Sequence, residues 1–492
     1  MKGEHILVLD EGTTSTRAIV YAPDGKILHV AQAELTQYYP EPGHVEHDAS
    51  EIWDKTLACA QEVIAKLGGA DRIAALGITN QRETVVAWDR STGEPITRAI
   101  VWQDRRTAAQ CARLREAGHE DMLQARTGLV IDPYFSGTKM RWILDNVPEA
   151  RALGDRLALG TVESWLVWKL TGGLHVSDAS NASRTQLLAL DGPDWDDDLL
   201  ALFGVPRAAL PKVVDTAGTV GTCDAALLGA AIPISGLAGD QQSATIGQHC
   251  LAIGETKATF GTGAFILTNM GPVLPRSSHR LLGTVLCQQD GKRTYALEGS
   301  IFVAGSLIKW LRDELGVIRT AAESEELARA VPDNGGVLFL PALAGLGAPH
   351  WKPDATGVVT GLTQGTSRAH IVRAAMESLA HQCHDLQAAF AADGADWKML
   401  RIDGGMSANN WMAQDLADIL ALPVERPADT ETTALGAAML AGVGVGLHAS
   451  LEDAMTMGGA LTRFIPTMGE ATRSARIAPW QSGLRRHIDG LD

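Results

Sequence analysis

Ile6-Leu7-Val8-Leu9-Asp10-Glu11-Gly12-Thr13-Thr14-Ser15-Thr16-Arg17 is the stretch on which the fold turns. An apolar run suited to a buried strand ends in a carboxylate, turns at a glycine, presents four hydroxyls and an arginine, and resumes as Ala18-Ile19-Val20-Tyr21. The pattern predicts a β-hairpin with a charged tip. At such a tip a glycine lets backbone N–H groups approach an oxyanion, hydroxyls and Arg17 can hydrogen-bond phosphate oxygens, and Asp10 can hold a hydrated Mg²⁺ between them. A hairpin with no ligand has the same composition, because Gly, Ser and Thr favour turns in any case.

Working outward, Ile27 to Ala31 predicts a third strand. A Pro- and Gly-rich loop, Tyr39 to Asp48, precedes an amphipathic helix through Ile52, Trp53, Leu57, Val63 and Ile64, with Asp48 or Ser50 as its cap. Strands first, then alternating helix and strand, is the order of an α/β domain whose ligands sit at strand ends. The next strand, Ile73 to Ile78, runs into Thr79-Asn80-Gln81-Arg82-Glu83-Thr84. Arg82 and Glu83 together offer a polyol both a donor fork and an acceptor, although a solvated turn would look the same. Trp102, after Ile100-Val101, and Tyr134, before the helix at Lys139, are candidates to wall a small pocket, or are ordinary core aromatics.

Ile234 to Gly239 is an apolar strand that delivers Asp240, followed by Gln241 and Gln242, to the start of a helix. That carboxylate suits either a helix N-cap or a general base that accepts a proton from an attacking hydroxyl. A second glycine and hydroxyl hairpin, Lys257 to Phe265, echoes the first. The turn Arg401-Ile402-Asp403-Gly404-Gly405-Met406-Ser407-Ala408-Asn409-Asn410 opens a helix and suits a nucleotide. Two halves, 1–246 and 247–492, each opening on a phosphate-type hairpin, imply a duplicated fold with a nucleotide cleft between them. Neither G-x-x-x-x-G-K-[ST] nor G-x-G-x-x-G occurs, so P-loop, Rossmann and protein-kinase readings lack their signatures.

Bulk properties agree. A chain of 492 residues exceeds what one core usually serves, and 46% hydrophobic with 20% charged residues is a globular composition. The formal charge of −16 argues against nucleic acid or an anionic membrane as partner. Six cysteines without metal-ligand spacing suggest reduced, buried thiols in a cytoplasmic protein. No signal-peptide pattern precedes the first strand, and Ala434 to Leu447, interrupted by glycines, is too short to span a bilayer. It predicts a small-residue helix packed closely on another element.

The segments Tyr134-x-Ser136-x-x-Lys139-Met140-x-Trp142-Ile143-x-Asp145-Asn146, Gly357-x-Val359-x-Gly361-Leu362 and His370-Ile371-x-x-Ala374-Ala375-Met376-Glu377 carry a family pattern. Over essentially its whole length the chain resembles the FGGY family of carbohydrate kinases, within the actin-like, ribonuclease-H-like ATPase superfamily. Residues 80–84, 100–103, 128–136 and 239–242 resemble the members acting on glycerol rather than on xylulose or gluconate. The resemblance implies two duplicated ribonuclease-H-like α/β domains with a nucleotide and substrate cleft between them. It also implies Mg²⁺ and ATP, phosphorylation of glycerol to sn-glycerol 3-phosphate, and a homo-oligomer, dimer or tetramer. Carried over by position, Arg82, Glu83, Tyr134, Asp240 and Gln241 would bind glycerol hydroxyls, Trp102 and Phe265 would line the apolar side, and Asp240 would be the general base. Thr13, Thr14, Ser15 and Arg17 would meet the phosphates, with Asp10 on the Mg²⁺ side. Thr262 and Gly305 would hold phosphate and ribose, Gly405 and Asn409 would flank the adenosine, and Lys309 would lie near the nucleotide. A kinase for another C4 or C5 polyol or sugar is the alternative, and an ATPase switch of the actin or heat-shock-chaperone kind is the distant one.

The chain departs from the family in four places. Glu11 stands where glutamine is usual, so a negative charge is expected to weaken nucleotide binding or to recruit metal. Lys309 replaces a glutamine and partly offsets that charge, and His350 replaces a tyrosine. Leu228-Gly229-Ala230-Ala231-Ile232 lacks the basic residue of members regulated by sugar bisphosphates, so no such inhibition is expected.

Overall fold

The computed structural model describes residues 3–352, 354–429 and 431–490. β1 (His5–Glu11) and β2 (Ser15–Tyr21) form the predicted hairpin, with Asp10 opposite Arg17. Leu7 and Leu9 join one core cluster while Ile6 and Val8 join another, so both faces of β1 are covered. A strand buried on both faces reads as an unbroken apolar run rather than an alternating one, which is what Ile6 to Leu9 is.

β3 (Ile27–Glu34) extends the meander, and α1 (Ala49–Leu67) follows, with the Asp48 carboxylate accepting from Ser50 N and Glu51 N and with Gly68 closing its C-terminus at φ 91°. β4 (Ile73–Asn80) runs parallel to β1; β5 (Ala217–Thr222) and β6 (Pro233–Gly239) complete a sheet in the order β5-β6-β4-β1-β2-β3. α2 (Asp240–Gly247) leaves the end of β6.

The second sheet repeats this plan. β7 (Glu255–Phe260), β8 (Ala264–Gly271), β9 (Leu282–Gln289) and β10 (Lys292–Ile301) are antiparallel neighbours, and α3 (Gly305–Asp313) follows them. β11 (Met399–Asp403) and β12 (Val424–Pro427) add in parallel beside β7, and β13 (Leu461–Phe464) closes the edge in the order β9-β10-β8-β7-β11-β12-β13. In both sheets a three-strand meander is followed by two parallel strands and one antiparallel edge, with β9 extra in the second. The fold is the expected duplicated α/β architecture.

One helix crosses between the halves. α4 (Thr432–Gly444) follows β12, yet its alanines share a core with Ile6, Val8 and Ala75 of the first sheet. Backbone meets backbone there: a Cβ on Gly77 would lie 2.6 Å from Ala437 O, and one on Gly436 would lie 1.8 Å from Ser243 O of α2. The predicted small-residue helix therefore packs on the opposite half from the one its sequence position suggests. Among the described residues no helix is long and apolar enough to cross a membrane.

Candidate active site

The first hairpin tip opens onto a cleft of about 650 Å³, whose lining includes Asp10, Arg17, Thr259, Asp403, Gly405 and Glu431, so both halves contribute. Gly12 N donates to Ser15 O at 3.0 Å and closes the turn. Thr14 is exposed at the tip, Ser15 is buried at the start of β2, and the Thr13 hydroxyl accepts from Trp102 Nε1 at 2.9 Å. Arg17 forms an ion pair with Glu431 across the cleft. Burial raises the Asp10 carboxyl to about 7, with Arg17 opposing and Glu431 and Asp240 adding to the rise. A carboxylate so crowded by negative charge suits a cation. Among the described residues no group of three His, Cys, Asp or Glu side chains could hold a metal.

The structure corrects the expectation for Glu11. Its side chain turns away from the cleft into the core, 1% exposed, where its Oε1 meets the hydroxyls of Thr16 and Thr56. Burial raises its carboxyl to about 8, against the two hydroxyl contacts, so at neutral pH it is an uncharged acid in the place of the usual glutamine.

Arg82 and Glu83 follow the end of β4, and Glu83 sits in the left-handed region at φ 61°. That kink turns both side chains inward. Arg82 donates through Nη1 and Nη2 to Glu298 at 2.5 and 3.2 Å, its Nη2 lies 3.3 Å from the Tyr134 hydroxyl, and its Nε lies 3.2 Å from Asp240 Oδ1. Glu83 accepts from Arg184 Nε at 2.6 Å. Trp102 meets Tyr134 edge-on at 5.6 Å and Phe265 at 6.4 Å between centroids, so the predicted aromatic wall forms, with Phe265 reaching in from the second half.

Asp240 is the first residue of α2, and the residue before it, Gly239, is the N-cap. Its Oδ1 accepts from the backbone N–H of Gln241 in that first turn at 2.7 Å, and the side chain is one-third exposed beside an Arg82 side chain that is 2% exposed. Gln241 is held by Lys257 of β7, whose Nζ also donates to Thr259 Oγ1 at 3.1 Å. Burial lowers that ammonium to about 8, against the pull of Asp403 and Asp240.

On the nucleotide side, Thr262 lies exposed at the second hairpin tip, and its carbonyl accepts from Ala304 N and Ser306 N, both at 3.0 Å. Gly305 N donates to Gly261 O at 2.9 Å, and a Cβ at 305 would lie 2.4 Å from that oxygen, so glycine is required there. Gly405 has open space where a Cβ would stand, facing the cleft. Asn409 caps the helix Asn410–Leu420 by accepting from Met412 N at 2.9 Å. Lys309 is exposed on α3, and His350 lies 3.8 Å from Asp385. Sequence reading missed Arg184, Lys257, Glu298 and Glu431.

Residues 5–247 match the N-terminal domain profile of the FGGY family of carbohydrate kinases, and residues 256–445 match its C-terminal domain profile. The chain belongs to the FGGY family of carbohydrate kinases. It is similar to the glycerol kinase of Rhodospirillum centenum, at 53% identity over 99% of this chain and 98% of that one. It is also similar to that of Gluconobacter oxydans, at 51% identity over 99% of this chain and 96% of that one. Among solved FGGY-type structures, Plasmodium falciparum glycerol kinase with ADP superposes with a TM-score of 0.93 at 33% identity, covering 99% of both chains. A xylulose kinase from Rhodospirillum rubrum gives 0.89 at 26% identity, covering 99% of both.

Proposed function

We propose that this FGGY kinase transfers the terminal phosphoryl group of ATP to a primary hydroxyl of glycerol, yielding sn-glycerol 3-phosphate. The observation that carries the reading is the part-exposed Asp240 carboxylate with Arg82 Nε 3.2 Å away, beside the aromatic cluster of Trp102, Tyr134 and Phe265. The glycerol kinases at 51–53% identity over nearly the whole chain support the substrate.

Phosphoryl transfer asks a protein to align two oxygens and to neutralise charge, with little covalent chemistry of its own. Arg82, Glu83, Tyr134 and Gln241 bind the hydroxyls and orient one of them toward Asp240, which accepts its proton as the oxygen attacks. Trp102 and Phe265 cover the C–H face and exclude water. Thr13, Thr14, Ser15, Arg17 and Thr262 hold phosphate oxygens through hydroxyl, guanidinium and backbone donors, and Gly305, Lys309, Gly405 and Asn409 bound the ribose and adenine. Asp10 would hold Mg²⁺ with the phosphates, and Mg²⁺ when bound supplies charge neutralisation at the phosphoryl oxygens. The halves 1–246 and 247–492 act as the two jaws. Six buried, free cysteines suit a reducing compartment, so we place the protein in the cytoplasm, as a dimer or tetramer.

An ATP-coupled assay over glycerol and C4 and C5 polyols tests the substrate: glycerol gives the highest kcat/KM, and a longer polyol outrunning it would transfer the reading to the alternative kinase. General-base assistance is worth roughly 10²–10⁴-fold, so Asp240→Asn lowers kcat by about that factor with Tm held. A variant with near-normal kcat removes Asp240 from the role.

A further inference from the structure

Four charged side chains meet out of water beneath the polyol pocket: Arg82 and Glu83 after β4, Arg184 in the first half, and Glu298 on β10 of the second, none more than 2% exposed. Arg184 bridges the two acids, donating from Nε to Glu83 at 2.6 Å and from Nη2 to Glu298 at 3.0 Å. Glu298 in turn receives both terminal nitrogens of Arg82. Two guanidiniums and two carboxylates cancel, which is the condition for burying them at all.

We propose that Glu298 and Arg184 are positioning residues of the phosphotransfer site, with Glu298 the element of the second half that aims Arg82 at the polyol. The inference rests on the polyol reading above and adds a residue class to it. A guanidinium has five N–H donors in one plane, and fixing two nitrogens on a carboxylate fixes the plane. With Glu298 holding one edge, Nε is left facing Asp240 and Nη2 facing the Tyr134 hydroxyl, the two directions in which a bound polyol would lie. Arg184 does the same for Glu83, and its ring contacts, 5.8 Å to Tyr134 and 5.3 Å to Phe135, tie it to the pocket wall. A well-packed apolar replacement of such a group is commonly as stable, so stability alone does not explain four buried charges here. Because Glu298 belongs to the second sheet and Arg82 to the first, the donor fork is aimed only when the halves meet.

The test is steady-state kinetics and Tm on full-length wild type, Glu298→Gln, Glu298→Asp and Arg184→Lys. Displacing a binding group by about 1 Å can cost on the order of 10²-fold, so the KM for glycerol is expected to rise about 10–100-fold in Glu298→Asp, whose carboxylate retreats by one methylene, while the KM for ATP holds. Glu298→Gln shows the same split if it folds; the Asp and Lys variants keep the charge balance and serve where it does not. Any folded variant in which both KM values stay at wild type, or rise together in step with a lower Tm, overturns the positioning role. A wild type that neither binds nor phosphorylates glycerol overturns the proposed function itself, a different result from a wild type that works beside variants that match it.

Discussion

Glu11→Gln is expected to stabilise the protein at alkaline pH and to leave it unaffected at acid pH. The Thr56 hydroxyl has one hydrogen and lies 2.6 Å from Ile52 O and 2.5 Å from Glu11 Oε1, so both contacts are hydrogen bonds only when Glu11 carries a proton. Burial holds the folded carboxyl at about 8 against an ordinary value of 4.5. Between these two values the folded state binds a proton that the unfolded state has released, so stability falls as pH rises: the contribution is complete below 4.5 and is lost through about 8. Each pH unit well inside that window is worth about 1.4 kcal/mol, and because the slope flattens as the folded value is reached, from pH 6 to pH 8 the wild type loses roughly 2 kcal/mol that a glutamine does not. At about 2–4 °C per kcal/mol for halves of this size, the Tm gap between variant and wild type widens by roughly 4–8 °C over that range.

Differential scanning calorimetry of both proteins at several pH values from 5 to 9 measures it. Asp10 and Glu163, also raised to about 7 by burial, titrate in the same window in both proteins, so the difference between the curves, not either curve alone, reports on Glu11. Parallel curves would refute the protonated state, and a gap that widens toward acid pH would reverse its sign.

Gly305→Ala forces a methyl to within 2.4 Å of Gly261 O at the second hairpin, so the KM for ATP rises at least about 10-fold while that for glycerol moves little; equal changes in both would remove the hairpin from nucleotide binding. Gly436→Ala puts a Cβ 1.8 Å from Ser243 O, and overpacking of that kind costs about 1–3 kcal/mol or more, read as a lower Tm with reduced yield. Fructose 1,6-bisphosphate is expected to leave activity unchanged, since Leu228 to Ile232 carries no basic side chain, and strong inhibition in the coupled assay would contradict that.

What the sequence made legible follows from where each signal lives. The hairpin at Asp10 to Arg17, the polar break at Thr79 to Thr84 and the strand-to-helix step at Asp240 are local patterns, and each sits at the strand end where it was expected. Trp102, Tyr134 and Phe265 were legible as aromatics at such ends, although their convergence was not. Glu298 was hidden because Tyr295-Ala296-Leu297-Glu298-Gly299-Ser300 reads as core strand, and its partners lie 216 and 114 residues away. Lys257 was hidden because it lies among Glu255, Thr256 and Thr259, where a lysine reads as one more polar residue of a hairpin strand. Glu11 was legible as an oddity but misread, because sequence gives its place beside the hairpin and not the direction of its side chain.

Four contacts share one property that the local patterns lack. Glu298 reaches Arg82, Glu431 reaches Arg17, Lys257 reaches Gln241 and Phe265 reaches Trp102, each from the second half to the first. Each of these four contacts joins the two halves, so a hairpin motif suffices to identify the fold, whereas these contacts form only at the junction. α4 shows how that junction is kept in register: its glycine and alanine backbone lies against β4, β6 and α2, the elements that end in Arg82 and Asp240.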